Sequence, residues 1–119
     1  MGNYVDAFVL AVPRDNLDAY RQLEETCGKI WREHGALDFI VCIADDVQPG
    51  KLTSFPQAVD LKPDEVVAVS YVTYESREKR DEANAKIMAD PRITGMDQTN
   101  MPFDGKRMIW GGFKVFVRA

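Results

Sequence analysis

Tyr4-Val5-Asp6-Ala7-Phe8-Val9-Leu10-Ala11-Val12, closed by Pro13, is apolar on both alternating sets of positions, with Asp6 the one exception. A strand with one wet face alternates apolar and polar residues. A strand that is apolar on both sets must be covered on both faces. Outward from this stretch, Asp15 offers a carboxylate as an N-cap. Leu17, Tyr20, Leu23, Cys27, Ile30, Trp31 and His34 then recur at helical spacing until Gly35. Leu37 to Ala44 is a second two-sided strand, ended by Asp45-Asp46. The first half therefore reads strand, helix, strand.

The second half repeats that plan. Val66 to Tyr74 is a valine-rich strand, Ser76 caps a helix to about Met88, and Arg107 to Val117 is a last strand. Gly111-Gly112 inside it predicts a bulge or a close approach by another backbone. Between the halves, Asp46 to Asp64 is long for a connection, and Thr53 or Ser54 caps a short helix there running to Val59. Asp90-Pro91 ends the second helix, and Arg92 to Lys106 is an irregular crossover with Met96 and Met101 exposed.

The order βαββαβ over 119 residues predicts one α+β domain, residues 1–119. The expected fold is a ferredoxin-like protomer, a four-stranded antiparallel sheet with two helices on one face. Helices on one face leave the other apolar face wet, so the expected partner is a second copy, joined sheet to sheet as a homodimer.

Composition narrows the function classes. With 45% hydrophobic and 29% charged residues, the chain is an ordinary globular sequence, without an apolar run long enough to span a bilayer. No secretory leader is read at the N-terminus, so the expected location is cytoplasmic. Cys27 and Cys42 fit two reduced, buried thiols and not a disulfide or zinc framework. A net charge of −4 disfavours nucleic acid. Trp110-Gly111-Gly112-Phe113 echoes the aromatic-glycine strand of RRM domains, but it lacks the leading Lys or Arg and falls on the fourth strand.

Three segments carry a resemblance: Tyr4-Val5-Asp6-Ala7-Phe8, Asp90-Pro91-Arg92, and Met101-Pro102-Phe103-Asp104-Gly105-Lys106-Arg107-Met108-Ile109. Through them the whole chain resembles the YbaA-like family of small bacterial proteins of unknown function. The resemblance implies the dimeric α+β barrel superfamily, in which ferredoxin-like protomers pair through their sheets. It implies no catalytic residues.

Asp6 shares the parity of Tyr4, Phe8 and Leu10, and a carboxylate on a covered face must be paired, hydrogen-bonded or raised in pKa. Asp6 is the candidate base or orienting acceptor, against a structural ion pair with Arg107 or Lys114. Phe8 and Trp110 are candidates for an apolar wall. Asp104, Lys106 and Arg107 are candidates for anion binding through charge and turn amides, against simply fastening the crossover to the strand. His34, the sole histidine, caps or packs the end of the first helix. No metal site and no cofactor motif is read. Whether the chain is an enzyme stays open. The leading expectation is a homodimer that binds a small molecule, or a cofactor-independent enzyme, with a pocket between the sheet and the Asp46 to Asp64 or Arg92 to Lys106 connection. The rivals are a protein-interaction module without catalysis and, more remotely, an RNA-binding domain.

Overall fold

A computed structural model describes residues 2–119. In chain order its elements are β1 (Tyr4–Pro13), α1 (Leu17–Glu33), β2 (Asp38–Ile43), α2 (Phe55–Ala58), β3 (Glu65–Tyr74), α3 (Arg77–Ala89), α4 (Pro91–Thr94) and β4 (Ile109–Lys114). Turns of 3-10 helix precede α1 at Arg14–Asn16 and β4 at Gly105–Arg107. The strands form one open antiparallel sheet in the order β2-β3-β1-β4, so the α+β expectation holds. The two valine-rich strands, β1 and β3, pair along their full lengths from Tyr4↔Tyr74 to Pro13↔Glu65. They lie at the centre, covered by strands on either side, whereas β2, also apolar on both parities, is an edge strand with Ile40 and Ile43 exposed, so the expectation that it is covered on both faces is corrected.

Register decides which residues share a face. Tyr4, Leu10 and Val12 of β1 and Val66, Ala68, Val72 and Tyr74 of β3 point to one side, where Tyr20 of α1 and Ala83 and Ile87 of α3 pack on them. Each large apolar side chain buried there contributes about 1.5–3 kcal/mol. The other side is unevenly covered. Val59 and Leu61, in the connection that carries α2, close over Ala11 and Val67 at one end. Beyond that end, Ile40, Tyr71, Ile109 and Phe113 are exposed.

Local signals account for most boundaries. The Ser54 hydroxyl accepts from Gln57 N–H at 3.2 Å and the Ser76 hydroxyl from Lys79 N–H at 3.1 Å, capping α2 and α3. Asp90 closes α3 and caps α4, whose first residue is Pro91. His34 and Gly35, at φ 121°, end α1.

Several expectations are corrected. Asp15 does not cap α1: a 3-10 turn takes its place, and the residue before α1 is Asn16, whose side-chain amide donates to Pro102 C=O at 3.1 Å. The last strand starts at Ile109 because the Asp104 carboxylate accepts from Lys106 N–H and sets a turn through Arg107. It ends at Lys114 because β1 begins opposite, at Tyr4, leaving Val115 N–H one last bond to Asn3 C=O at 2.9 Å. Gly111 and Gly112 make regular pairs with Ala7 and Asp6, without a bulge. Cys42 is exposed on the open face and Cys27 half-buried, so the thiols are free without both being core residues. Met96 and Met101 are half-buried, not exposed.

Candidate functional site

Asp6 lies on the helix-covered face, buried, and its partner comes from neither Arg107 nor Lys114. Arg80 of α3 turns inward and its Nη1 donates to Asp6 Oδ1 at 2.6 Å. Loss of water raises the Asp6 carboxyl above its ordinary value, and the guanidinium beside it opposes that rise. Arg80 also lies over the Tyr4 ring, 4.9 Å from its centroid, and donates to the Tyr4 hydroxyl at 3.3 Å. Gly112 makes the space. A β-carbon there would sit 2.4 Å from the Tyr4 hydroxyl and 2.9 Å from Arg80 Nη1. The close approach that the double glycine announces is thus made by side chains.

Phe8 stacks on Trp110 across the β1–β4 pair, with centroids 6.3 Å apart and planes 21° from parallel. Phe8 reaches further inward than its partner. It borders a cavity of about 170 Å³ between the sheet, α1 and the crossover, where Leu23 and Trp31 of α1 and Met101 and Phe103 of the crossover complete an apolar wall. Tyr20 and Phe103 meet edge to face at 5.8 Å, and Trp31 and Phe39 likewise at 5.9 Å. Outside it, an open groove of about 1030 Å³ runs between α1 and β2, bordered by Arg21, Glu25 and Lys29.

Glu24 borders both spaces. Burial alone pushes its carboxyl up to about 7. Burial likewise pushes the Cys27 thiol up to about 12, so at neutral pH it is a protonated, unreactive group. Sequence reasoning passed over Glu24, although a signal exists: the stripe Tyr20, Glu24, Cys27, Trp31 sets one carboxylate at helical spacing among residues that face the core.

The family model described as protein of unknown function (DUF1428) matches residues 3–105. The chain belongs to the DUF1428 family. It is similar to the uncharacterized protein YbaA of Escherichia coli and to that of Shigella flexneri, each 47% identical over 114 residues, which cover 96% of this chain and 97% of the relative. Asp6, Phe8, Glu24, Arg80 and Phe103 fall within the DUF1428 match, and Arg107, Trp110 and Gly112 follow it.

In this DUF1428 chain the distinctive loop before β4 is built around Arg107. Its Nη1 and Nη2 donate to the two Glu65 carboxylate oxygens at 2.8 and 2.6 Å, and its Nε donates to Asp104 Oδ2 at 3.1 Å. Nη1 also reaches the carbonyls of Val59 and Asp60 at 3.2 and 3.0 Å. Contact with Arg107 holds the Glu65 and Asp104 carboxyls below their ordinary range. The guanidinium is engaged on every side, so Arg107 and Asp104 fasten the crossover, β3 and the end of α2 together. His34 serves the end of α1, its Nε2 lying 2.8 Å from Asp90 Oδ2, while Arg92 joins Asp90 to Glu33.

The structure thus places Phe8 on the cavity, leaves Trp110 outside its lining, stacked on Phe8 from the edge strand, and commits Asp6 to Arg80 and Asp104 to Arg107 away from it. Among the described residues no helix is long and apolar enough to cross a membrane.

Proposed function

We propose that this DUF1428 protein is a single-domain, ferredoxin-like homodimer that binds a small, largely apolar molecule in the cavity between α1, the sheet and the crossover. The observation that carries this reading is the cavity itself: about 170 Å³, walled by aromatic and thioether side chains. Closely packed cores leave few voids of that size, and an apolar void of about 150 Å³ accepts a benzene ring. The crossover wall matches the expected pocket between the sheet and Arg92 to Lys106. The order β2-β3-β1-β4 supports the ferredoxin-like description. The apolar, exposed opposite face supports the dimer. An exposed free thiol at Cys42 suits a reducing compartment such as the cytoplasm.

Binding fits better than nucleophilic catalysis, because Cys27 remains a thiol and Asp6 is committed to Arg80. The test is a thermal-shift titration with toluene. A rise in Tm for the natural sequence, abolished by Leu23→Trp, is the expected result; no rise at saturating toluene removes the reading. A second reading, an interaction module, draws on the fully exposed Phe116 beyond β4. Deleting residues 115–119 while keeping the toluene response would separate that tail from the cavity.

A further inference from the structure

The cavity has an acid and no base. Glu24 stands where the cavity meets the groove, since Tyr20, Glu24 and Phe39 border both. Among the described residues neither a hydrogen bond nor a neighbouring cation acts on its carboxyl. Tyr20 and Cys27 on α1, Phe39 on β2 and Phe103 on the crossover line the cavity with it, and among the described residues no Lys, Arg or His borders that cavity. Arg21 and Lys29 lie along the outer groove without pairing with Glu24. A carboxylate in such surroundings lacks a counter-charge, which a ligand can bring with it.

We propose that the cavity takes a small cationic amine carrying one apolar ring, an arylalkylamine, with the ring inside and the ammonium on Glu24 at the mouth of the groove. This rests on the binding reading above and adds the ligand's charge. The volume of about 170 Å³ suits one six-membered ring and a short arm. The aromatic side chains that line the cavity suit an apolar ring. The open groove lets the remaining ammonium N–H groups stay hydrated, so only one charge contact is made inside the protein.

Calorimetric titration with benzylamine, benzyl alcohol and toluene tests the charge separately from the cavity. The measurement is made at about pH 8, above the Glu24 pKa of about 7, where the amine still carries its proton. Benzylamine is expected to bind at least about tenfold more tightly than benzyl alcohol. Glu24→Gln should erase that preference while leaving benzyl alcohol within about threefold, and circular dichroism checks that the variant is folded. If benzyl alcohol binds as well as benzylamine, or Glu24→Gln leaves benzylamine unchanged, the ammonium contact is wrong although the cavity stands. If none of the three binds, the cavity reading fails and this inference with it.

Discussion

A missing β-carbon at Gly112 admits the Arg80 guanidinium to the core beside Tyr4 and Asp6. Gly112→Ala sets backbone-fixed bulk against two groups that cannot both retreat without breaking the Asp6 pair. We expect a loss of about 1–3 kcal/mol by urea denaturation, the range for forced overpacking. A variant as stable as the natural sequence would mean that the pair moves freely. Glu24 makes the opposite kind of case, a group whose charge the fold opposes. Its folded pKa of about 7 lies above the ordinary 4.5, so between those values the folded chain binds more protons than the unfolded one. Stability is therefore full below about 4.5, falls as pH rises toward about 7, and is level above. The stability of Glu24→Gln minus that of the natural sequence should grow by about 2–3 kcal/mol between roughly pH 4 and pH 8. A difference that does not vary with pH would mean that Glu24 is solvated.

Among elements, β4 depends most on a tie outside itself. It is a short edge strand, and Arg107 ties the turn before it to Glu65, which is buried at the end of β3. Arg107→Ala removes five donors and leaves the Glu65 carboxylate buried without its partner. We expect a cost of about 3 kcal/mol together with faster hydrogen exchange in β4. Arg107→Met with Glu65→Gln should recover part of it, and no recovery would show that the partners act independently. Because Glu65 and Asp104 are held below their ordinary values, their contribution is present above those values and lost as pH falls through the lowered ones. The elements themselves were largely legible in the sequence. The apolar runs mark the strands, although β2, two-sided in sequence like β1, lies at an edge, and the serine caps of α2 and α3 stand where local chemistry puts them. What was hidden depends on partners far along the chain. Arg80 shares a helical stripe with Asn84 and Ile87, which can turn it toward the sheet, but nothing near it names its partner, because Asp6 lies on another element. Asp15 has the right side chain for a cap, yet Pro13 and the 3-10 turn after it shift the helix start. Val115 to Val117 continue the strand pattern in composition, but β1 has no residues left to pair with them.

At the scale of the whole molecule, the sheet presents Ile40, Tyr71, Ile109 and Phe113 to solvent on one side while its other side is covered by α1 and α3. Two strands of ten residues and two of six, about 4.8 Å apart, define a plane of roughly 500 Å², one end of which Val59 and Leu61 cover. Side chains standing off that plane add to its area, and a stable pair buries roughly 800 Å² per partner. A second copy offers the same apolar surface, and a twofold axis through it sets each patch against its own equivalent, which requires the patch to be self-complementary. Sedimentation at micromolar concentration is expected to give a dimer, and Phe113→Asp a single-chain species. Because Phe113 is exposed in the protomer, that change should lower affinity far more than it lowers protomer stability. The cavity lies on the covered side, so the dissociated variant should retain its toluene response. A monomeric natural sequence would leave the open face unexplained and end the dimer reading, without touching the cavity behind it.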